Sequence, residues 1–351
     1  MASELTLSVV IPNYNYAKYV GAAINSALNV SWPRVEVIVV DDGSTDSSVE
    51  VISEFADRIV FVKQANAGQM QSCVNGFRRS TGDVIIFLDS DDALHPDVMI
   101  EIAARWSEKV SKFQFQMRTI DADGNPTGNI LPQFFVSPTP QQVRKWVTAA
   151  GTYPTPPGSG NAYSRFVVDR VFRFESDFVD RAPDSYLVTA APAYGDVITI
   201  PKPLVDYRVH GLNHGAFLNL EDSRFAREVD VTQRRHKFLT EVADSVGLRV
   251  AADALSKNMQ FLCLRAASFA LRPDLHPIAE DRATRIFSDS FRALACPQGF
   301  SYSQRASLFL WTMFVLLGPH GLSRVLASWR YAPTSRPKWI KRALNVLRVV
   351  R

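Results

Sequence analysis

The chain has 351 residues, of which 46% are hydrophobic and 21% are charged, and its formal net charge is +4. This length exceeds that of a usual single domain, so we expect one domain of roughly 200 residues and a second region. The composition is that of a globular protein and excludes a disordered chain or a repeat array. Cys73, Cys263 and Cys296 are far apart and form no CxxC pair, which argues against a disulfide framework and a zinc site.

The predicted location of the protein is cytoplasmic. Between Met1 and Thr6 the chain has no basic region followed by an apolar core, so no secretory signal is expected. The most apolar window, Ser307 to Leu317, is about half the length needed to cross a bilayer.

The C-terminal part of the sequence contains basic residues and no acidic ones. From Ser290 to Arg351 there are ten Arg or Lys and no Asp or Glu. One interpretation is peripheral contact with anionic lipid on the inner face of the cytoplasmic membrane, through Trp311, Trp329, Trp339 and the basic residues after Arg324. The other is a solvated helical cap, with a homodimer interface through the C-terminal helices.

Up to residue 88 the chain alternates between short apolar runs and helix-like segments. The apolar runs are Leu5 to Ile11, Val35 to Val40, Ile59 to Val62 and Val84 to Leu88. The segments between them are Lys18 to Leu28, a stretch running to Phe55, and Gln69 to Arg79. Continuous apolar strands that alternate with helices require a sheet covered on both faces. The sequence therefore predicts an α/β fold of Rossmann type, with a mostly parallel central sheet and helices on both faces.

After Asp92 the regular alternation ends. The predicted elements are a helix from Pro96 to Glu108, a hairpin of Lys112 to Ile120 and Thr127 to Phe135, a helix over Gln141 to Ala150 capped by Thr139, helices at Ser164 to Val171 and Asp184 to Ala191, and a short strand from Asp196 to Ile200. The Pro/Gly-rich loop Gly151 to Gly160 is a connector or, beside a ligand crevice, a wall facing an acceptor.

Beyond Asn219 the chain reads as amphipathic helices. They are predicted at 220–246, 250–271, 278–294, 303–317 and 338–350. This change of pattern places a domain boundary near residue 215, with an α/β domain at 1–215 and an α-helical region with a basic tail at 216–351.

Two acidic clusters follow apolar strands, Asp41-Asp42 and Asp89-Ser90-Asp91-Asp92. Because ligands bind in the crevice beyond the carboxyl ends of strands in an open α/β sheet, we expect the clusters to converge there. Two acids separated by one residue can both face a hard divalent cation such as Mg2+ or Mn2+, which also binds substrate phosphates. From these residues alone, an acidic loop that caps the helix after Pro96 is an equal alternative.

The same residue types suit a nucleotide diphosphate. A carboxylate at a strand end can accept a hydrogen bond from a base or from a ribose hydroxyl. A cation held by Asp91 would neutralise a diphosphate and stabilise it as a leaving group. The sequence contains neither GxGxxG nor GxxxxGK[ST], so neither a dinucleotide fingerprint nor a P-loop supplies the phosphate site.

Three motifs follow one another in the first part of the chain: Val9 to Asn15, Val37 to Asp46, and Gly82 to Asp92 with its DxD motif. In sequence and in order they resemble the motifs of the family-2 glycosyltransferases of GT-A fold. The resemblance implies a nucleotide-diphospho-sugar donor (UDP-sugar favoured), a divalent cation (Mn2+ or Mg2+) and inverting transfer. It also implies surface polysaccharide or glycoconjugate synthesis, a saccharide or lipid-linked saccharide acceptor, no nucleic-acid partner, and a catalytic domain at 1–215.

The resemblance also assigns roles to residues of the three motifs. Pro12 and Tyr14 would line the nucleotide pocket, Asp42 and less surely Asp41 would read the base, Asp89 would face the ribose, Ser90 would bind the donor, and Asp91 would bind the metal. We assign Asp92 to the cap of the following helix rather than to the metal.

Inverting transfer by direct displacement needs a base that takes the proton of the acceptor hydroxyl. Asp184 occupies the position that resembles the family's base, and its alternative role is that of a helix N-cap. Asp177, Asp180 and Glu175 are the nearby competitors.

The run Tyr207-Arg208-Val209-His210 resembles the motif that closes the family's catalytic domain. Arg208 would then contact the diphosphate and His210 the metal, because guanidinium matches phosphate and imidazole is a common metal ligand. Surface or packing roles are the alternative.

Two other functions fit parts of this pattern. A non-catalytic sugar-nucleotide-binding or scaffold subunit would keep Asp91 but lack a working base. A sugar nucleotidylyltransferase would need a basic, glycine-rich loop after the first strand, and the segment Pro12 to Asn15 is not one.

Overall fold

The structure is a computed structural model that describes residues 4–133, 137–173, 183–210, 221–332 and 337. The chain divides into two compact units. Residues 1–143 and 155–210 form the sheet unit, and residues 144–154 and 211–351 form the helical unit. The predicted boundary near residue 215 and the predicted helix at 338–350 lie outside the described residues.

The sheet unit is built on a mixed sheet. Its strands are β1 Leu7–Asn13, β2 Val35–Asp41, β3 Val60–Lys63, β4 Val84–Phe87, β5 Ala93–Leu94, β6 Val110–Ile120, β7 Pro126–Leu131, β8 Asn161–Ser164 and β9 Asp196–Arg208. Their order is β3-β2-β1-β4-β8-β6-β9-β5, with β7 paired to β6. One half of the sheet consists of β3, β2, β1 and β4, and neighbouring strands in this half are parallel. Strand β6 is also parallel to β9. The pairs β4 with β8, β6 with β8, β6 with β7 and β5 with β9 are antiparallel.

Helices cover both faces of this sheet. The helices of the first 210 residues are, in chain order, α1 Ala17–Leu28, α2 Ser48–Ser53, α3 Gln69–Arg79, α4 Val98–Ala103, α5 Pro140–Ala150, α6 Arg165–Arg173 and α7 Pro183–Tyr194, and most of α5 belongs to the helical unit. Buried residues of α1 share a core with Val9 and Ile11 of β1. Helix α3 packs on the opposite face, where a Cβ at Gly76 would lie 2.4 Å from Val10 Cγ1. The predicted α/β fold is confirmed.

Three strands differ from the sequence expectation, and one of them is the two-residue β5, which was not predicted. Strand β8 was not predicted, because a four-residue run with polar ends has no apolar pattern, yet all of its residues are buried between β4 and β6. Strand β9 continues to Arg208 rather than ending at Ile200. Pro201 and Pro203 are tolerated where the register with β6 shifts, because a proline there removes no regular ladder hydrogen bond.

The helical unit contains α8 Ser223–Ser245, α9 Ala254–Lys257, α10 Met259–Leu271, α11 Ala283–Ala293, α12 Tyr302–Leu317 and α13 His320–Tyr331. Helix α13 was not predicted. The predicted helix at 250–271 is interrupted at Asn258, whose side chain accepts hydrogen bonds from the amides of Gln260 and Phe261 and so begins α10. In the described part of the chain, no helix has the length and apolar character needed to cross a membrane.

Candidate active site

Three carboxylates gather in the loop that follows β4. Oxygen atoms of Asp89, Asp91 and Asp92 lie within 4.8 Å of one another. The loop is held to the end of β1 because Ser90 Oγ donates a hydrogen bond of 2.8 Å to the carbonyl oxygen of Pro12. The amide of Asp92 also donates to the carbonyl of Asp89, which closes the loop into a turn. The arrangement offers several hard oxygen ligands to one cation.

The three carboxylates repel one another when they are ionised. Burial, followed by the charges of Asp91 and Asp184, raises the pKa of Asp89 to about 7. Burial, with Asp89 and Asp91, raises the pKa of Asp92 well above its usual range. Asp92 Oδ2 is buried and has no hydrogen-bond partner of normal geometry among the described residues. A divalent cation would relieve this repulsion and give that oxygen a partner.

His210 joins the cluster from the far end of β9. Its Nε2 lies 2.9 Å from Asp91 Oδ2, and its side chain is buried. The imidazole stacks on the ring of Tyr19 at 5.0 Å between centroids and meets Tyr16 edge-on at 5.9 Å. Burial and the charge of Asp91 raise the pKa of Tyr16 to about 12, so this hydroxyl stays neutral. The two tyrosines fix the orientation of the histidine toward Asp91.

Arg208 is buried and ties β9 to the acidic loop. Its Nε donates to the carbonyl of Asp91 at 2.8 Å, and its Nη1 donates to the carbonyl of Asp121 at 3.2 Å. The guanidinium also lies 5.0 Å from the centre of the Tyr19 ring. These contacts position the loop, and the predicted contact between Arg208 and a diphosphate stays a prediction.

The expectation that Asp92 caps the following helix is wrong. Helix α4 begins after Asp97, and no side chain caps it. Asp92 instead accepts a hydrogen bond of 2.9 Å from the amide of Arg208. The tertiary pairing of β5 with β9 places that amide within reach, which local sequence cannot reveal.

Asp41 and Asp42 lie at the end of β2, as predicted, and both are buried. Asp41 accepts hydrogen bonds from Asn13 Nδ2 at 3.0 Å and from the amide of Ser44 at 3.0 Å. Asp42 accepts from the amides of Ala67 and Gly68, each at 2.8 Å. The two acids therefore organise the loops beside the strand ends, and their contact with a base stays a prediction.

Pro12 and Tyr14 lie at the end of β1. Pro12 is buried in the strand, whereas Tyr14 is 44% exposed just beyond it. Asn15, which has a positive φ of 59°, accepts a hydrogen bond of 2.7 Å from the amide of Thr45. The loops after β1 and β2 are thereby joined, and the exposed ring of Tyr14 lies at their edge.

Asp184 lies in the first turn of α7 and faces Asp89 across a glycine. A Cβ at Gly158 would lie 3.5 Å from Asp184 Oδ2 and 3.6 Å from Asp89 Oδ2. The structure thus brings the predicted base beside the acidic loop. The competing candidates Asp177, Asp180 and Glu175 lie outside the described residues.

Sequence reasoning did not single out three polar residues that contact this region. Gln69 Nε2 donates to Asp89 Oδ1 at 2.9 Å, and the amide of Asp89 donates to Ser159 Oγ at 3.1 Å. Lys112 is completely buried on β6, where its Nζ donates to Thr155 Oγ1 at 2.7 Å. The sequence around Lys112 alternates polar and apolar residues, so it gave no signal that this lysine would be buried.

The sheet order and the acidic cluster at the end of β4 define a GT-A-type fold. The sequence model described as Glycosyl transferase family 2 matches residues 8–172. An uncharacterised glycosyltransferase of Nostoc sp. is 30% identical over 271 residues, which cover 73% of this chain and 81% of that protein. The chain belongs to glycosyltransferase family 2, and it is a glycosyltransferase.

Further relatives agree at lower coverage. Chondroitin synthase of Escherichia coli is 34% identical over 128 residues, which are 35% of this chain and 19% of that protein. Among solved structures, TarS residues 1–349 of S. aureus in complex with UDP-GlcNAc superposes with a TM-score of 0.57 and 16% identity, covering 93% of this chain and 92% of the other. At that identity the likeness to TarS shows the fold alone.

Proposed function

We propose that the protein transfers a sugar from a nucleotide-diphospho-sugar to an acceptor hydroxyl, with inversion at the anomeric carbon and in dependence on a divalent cation. The observation that carries the proposal is the meeting of three carboxylates, within 4.8 Å, with His210 at one end and Asp184 across Gly158. A UDP-sugar is the favoured donor, and the presence of UDP-GlcNAc in the TarS complex supports this class of donor.

Asp91 and His210 would hold the cation, with the free oxygen of Asp92 available as a further ligand. The chemistry of the donor set fits Mn2+ or Mg2+, because carboxylate oxygens suit both. When bound, such a cation supplies Lewis-acid stabilisation to the leaving diphosphate. Tyr16 and Tyr19 hold the imidazole in place for this role.

The donor would lie along the ends of β1, β2 and β4. The exposed ring of Tyr14 and the buried Pro12 would line the nucleotide pocket. Asp42, with Asp41 behind it, would accept a hydrogen bond from the base, and Asp89 would accept one from the ribose. The remaining predicted donor contacts are Ser90 and Arg208.

Asp184 would act as the base. An inverting displacement requires the acceptor hydroxyl to attack on the side of the sugar opposite the diphosphate, while a carboxylate takes its proton. Asp184 is half-buried and directs Oδ2 toward the gap beside Gly158, across from the donor-facing Asp89. The proton of the acceptor hydroxyl would pass to this oxygen as the new glycosidic bond forms and the bond to the diphosphate breaks.

The central experiment measures release of nucleoside diphosphate from a panel of UDP-, GDP- and dTDP-sugars by purified protein with Mn2+. We expect turnover with at least one donor, loss of turnover in Asp184→Asn, and loss of both turnover and metal-dependent donor binding in Asp91→Asn. Donor binding without turnover in the wild type would favour a non-catalytic subunit. Absence of both binding and turnover across the panel would remove the proposal.

The setting we propose is surface polysaccharide or glycoconjugate synthesis on the cytoplasmic side of a membrane, with a saccharide or lipid-linked acceptor. Helices α11, α12 and α13 carry exposed apolar side chains, among them Phe291, Leu310, Phe314 (59% exposed) and Leu317 (75% exposed). Of the three tryptophans that we expected at a membrane, Trp311 packs inward among apolar residues, Trp329 is half-buried, and Trp339 lies outside the described residues. The proposed membrane contact therefore depends on the exposed apolar side chains of α11, α12 and α13 rather than on the tryptophans.

The charge of the surface formed by α11, α12 and α13 favours contact with an anionic lipid surface. Between residues 282 and 332 the sequence has six arginines and a single acid, Asp289. Asp289 is buried and pairs with Arg265 at 2.9 Å and with Arg292, and Arg324 pairs with Asp222 at 3.4 Å, so the arginines of this segment still outnumber the acids beside them. Two copies of this face packed on each other would bring arginine against arginine, whereas anionic headgroups would complement them.

Co-sedimentation with vesicles tests this contact. We expect binding to phosphatidylglycerol-containing vesicles, little binding to neutral vesicles, and loss of binding in the double variant Leu310→Asp, Phe314→Asp. Val246→Asp, at an exposed apolar position near the end of α8, is the matched control and should bind like the wild type. Equal binding by the double variant would refute the contact, and a lipid-independent dimer that this variant disrupts would reassign the face to self-association.

A further inference from the structure

The loop from Thr155 to Gly160 contains two glycines that differ in what surrounds them. At Gly160 a Cβ would lie 2.6 Å from Pro156 Cβ and 2.9 Å from Met117 Sδ, so close packing requires glycine there. At Gly158 the nearest atoms are 3.5 Å away or more, which is ordinary van der Waals contact. Gly158 is also not among the glycines with positive φ. Neither the local backbone nor the packing of the loop explains a glycine at position 158.

The neighbours of Gly158 suggest a different reason. The atoms nearest to its absent side chain belong to Asp184 and Asp89. In the proposed function these are the base and a donor-facing carboxylate, so the space beside Gly158 lies where the acceptor hydroxyl must approach. A methyl group there would leave the resting structure intact and would occupy part of that space.

A buried polar network holds the loop in this position. Lys112 Nζ donates to Thr155 Oγ1 at 2.7 Å, and Thr155 Oγ1 donates to Asn161 Oδ1 at 3.4 Å. Asn161 Nδ2 in turn donates to the carbonyl of Pro157 at 2.9 Å and to that of Gly158 at 3.1 Å. Lys112 and Asn161 are completely buried, and burial lowers the pKa of Lys112 well below its ordinary value, opposed by the nearby Asp184.

Burying a lysine side chain is energetically unfavourable, so we infer that Lys112 has a specific structural role. A buried polar network is favourable when its members are satisfied, and it fixes a single geometry. Here the fixed geometry is that of the loop carbonyls, and through them that of Gly158.

We propose that Gly158 is a specificity-determining residue for the acceptor, because its missing side chain keeps open the gap between Asp89 and Asp184. Lys112, Thr155 and Asn161 are positioning residues, because their hydrogen bonds fix the loop that carries Gly158 and so keep the width of the gap constant. This inference rests on the proposed function, since it assumes that Asp184 receives the acceptor hydroxyl. The acceptor that enters this gap is a saccharide, whose ring is much larger than a water molecule, so the width of the gap would affect transfer to the saccharide more than hydrolysis of the donor by water.

The test compares transfer with hydrolysis in Gly158→Ala. Both reactions use the same donor, metal and base, but only transfer needs room for a sugar, so we expect the ratio of transfer to hydrolysis to fall at least tenfold. The KM for the acceptor should rise, while the thermal shift caused by the nucleotide diphosphate stays within error of the wild type. Gly321→Ala, at a helical position where a Cβ would meet no atom within 4 Å, is the control for the exchange itself.

The network is tested with a matched pair at Thr155. Thr155→Val removes the hydroxyl and keeps the shape, so it should lower the transfer-to-hydrolysis ratio in the same direction as Gly158→Ala. Thr155→Ser keeps the hydroxyl and should restore the ratio. An unchanged ratio in Gly158→Ala, or an equal loss of donor binding, would overturn the inference. Absence of any donor turnover in the wild type would instead remove the proposed function.

Discussion

His210 Nε2 lies 2.9 Å from Asp91 Oδ2, although 119 positions separate the two residues in the sequence. The contact joins the loop after β4 to the end of β9, and Tyr19 stacks against the imidazole at 5.0 Å. A ring nitrogen and a carboxylate oxygen at this distance can share a proton or face one cation. The pair is therefore the natural starting point for tests of the metal site.

Mn2+ should raise the Tm of the wild-type protein, because a ligand that binds only the folded state stabilises it. Asp91→Asn should abolish this shift. His210→Gln should raise the Mn2+ concentration required for it by roughly tenfold or more, since loss of a ligand or of its partner weakens metal sites on that scale. Asp123→Asn, at an exposed position in the turn between β6 and β7, should behave like the wild type. A full shift in Asp91→Asn would place the metal elsewhere.

Asp184→Asn should separate binding from chemistry. Loss of a general base lowers turnover by roughly 10²- to 10⁴-fold, whereas an amide of the same shape leaves the donor pocket unchanged. We expect that loss in kcat, with a donor-induced thermal shift equal to that of the wild type. Asp169→Asn, at an acid paired with Arg173 on α6, is the control. Full activity of Asp184→Asn would move the role of base to Asp177 or Asp180.

Arg208→Lys should destabilise the fold. A lysine cannot reproduce the planar fork that reaches the buried carbonyl of Asp91 and the partly buried carbonyl of Asp121, and both acceptors would lose their charged donor. We expect the free energy of unfolding, measured in urea, to fall by about 2 kcal/mol. Arg118→Lys, which alters an exposed pair with Asp206, should cost less than about 1 kcal/mol. Equal effects of the two exchanges would contradict a positioning role for Arg208.

His236 should make the stability of the helical unit depend on pH. Burial lowers the pKa of this imidazole below its ordinary value of 6.5, and its Nδ1 is buried without a hydrogen-bond partner among the described residues. As pH falls through 6.5 the unfolded chain takes up a proton that the folded protein excludes. The free energy of unfolding should therefore fall in that window.

His236→Gln should flatten this dependence, because the substituted side chain does not titrate. The comparison is made by urea unfolding at several pH values between about 5 and 8, where an unperturbed imidazole titrates. His320→Gln, at an exposed position, is the control and should retain the slope of the wild type. A slope that persists in His236→Gln would assign it to another group.

Much of the sheet could be predicted from the sequence, because β1, β2 and β4 are rich in Val, Ile and other apolar residues, and an acidic residue lies at or shortly after the end of β2 and β4. The predicted positions of Asp41 and Asp89 at strand ends follow from the same pattern. Strand β8 has no such signal, since its burial depends on neighbours that come from β4 and β6. Local sequence cannot show which distant strands will enclose a short polar run.

The site was less predictable than the sheet. Strand-end carboxylates and a family motif indicated Asp91, Asp184 and His210, but the bond from Asp92 to the amide of Arg208 depends on the tertiary pairing of β5 with β9. The burial of Lys112 likewise arises only when the loop from Thr155 folds over β6. Sequence motifs and periodicity cannot identify residues whose role depends on backbone atoms that are distant in the sequence.

The position of β9 has a consequence for how the protein is made. It is the last strand of the sheet unit to be synthesised, yet it lies between β6 and β5. A nascent chain that stops before it would leave the edge of β6 unpaired and Asp91 without its histidine, and such late, non-local pairing is slow and exposes edges to aggregation. On the ribosome, the metal site proposed here would receive its histidine only when residue 210 clears the exit tunnel, so its full affinity for a cation would arise at the end of the synthesis of the sheet unit.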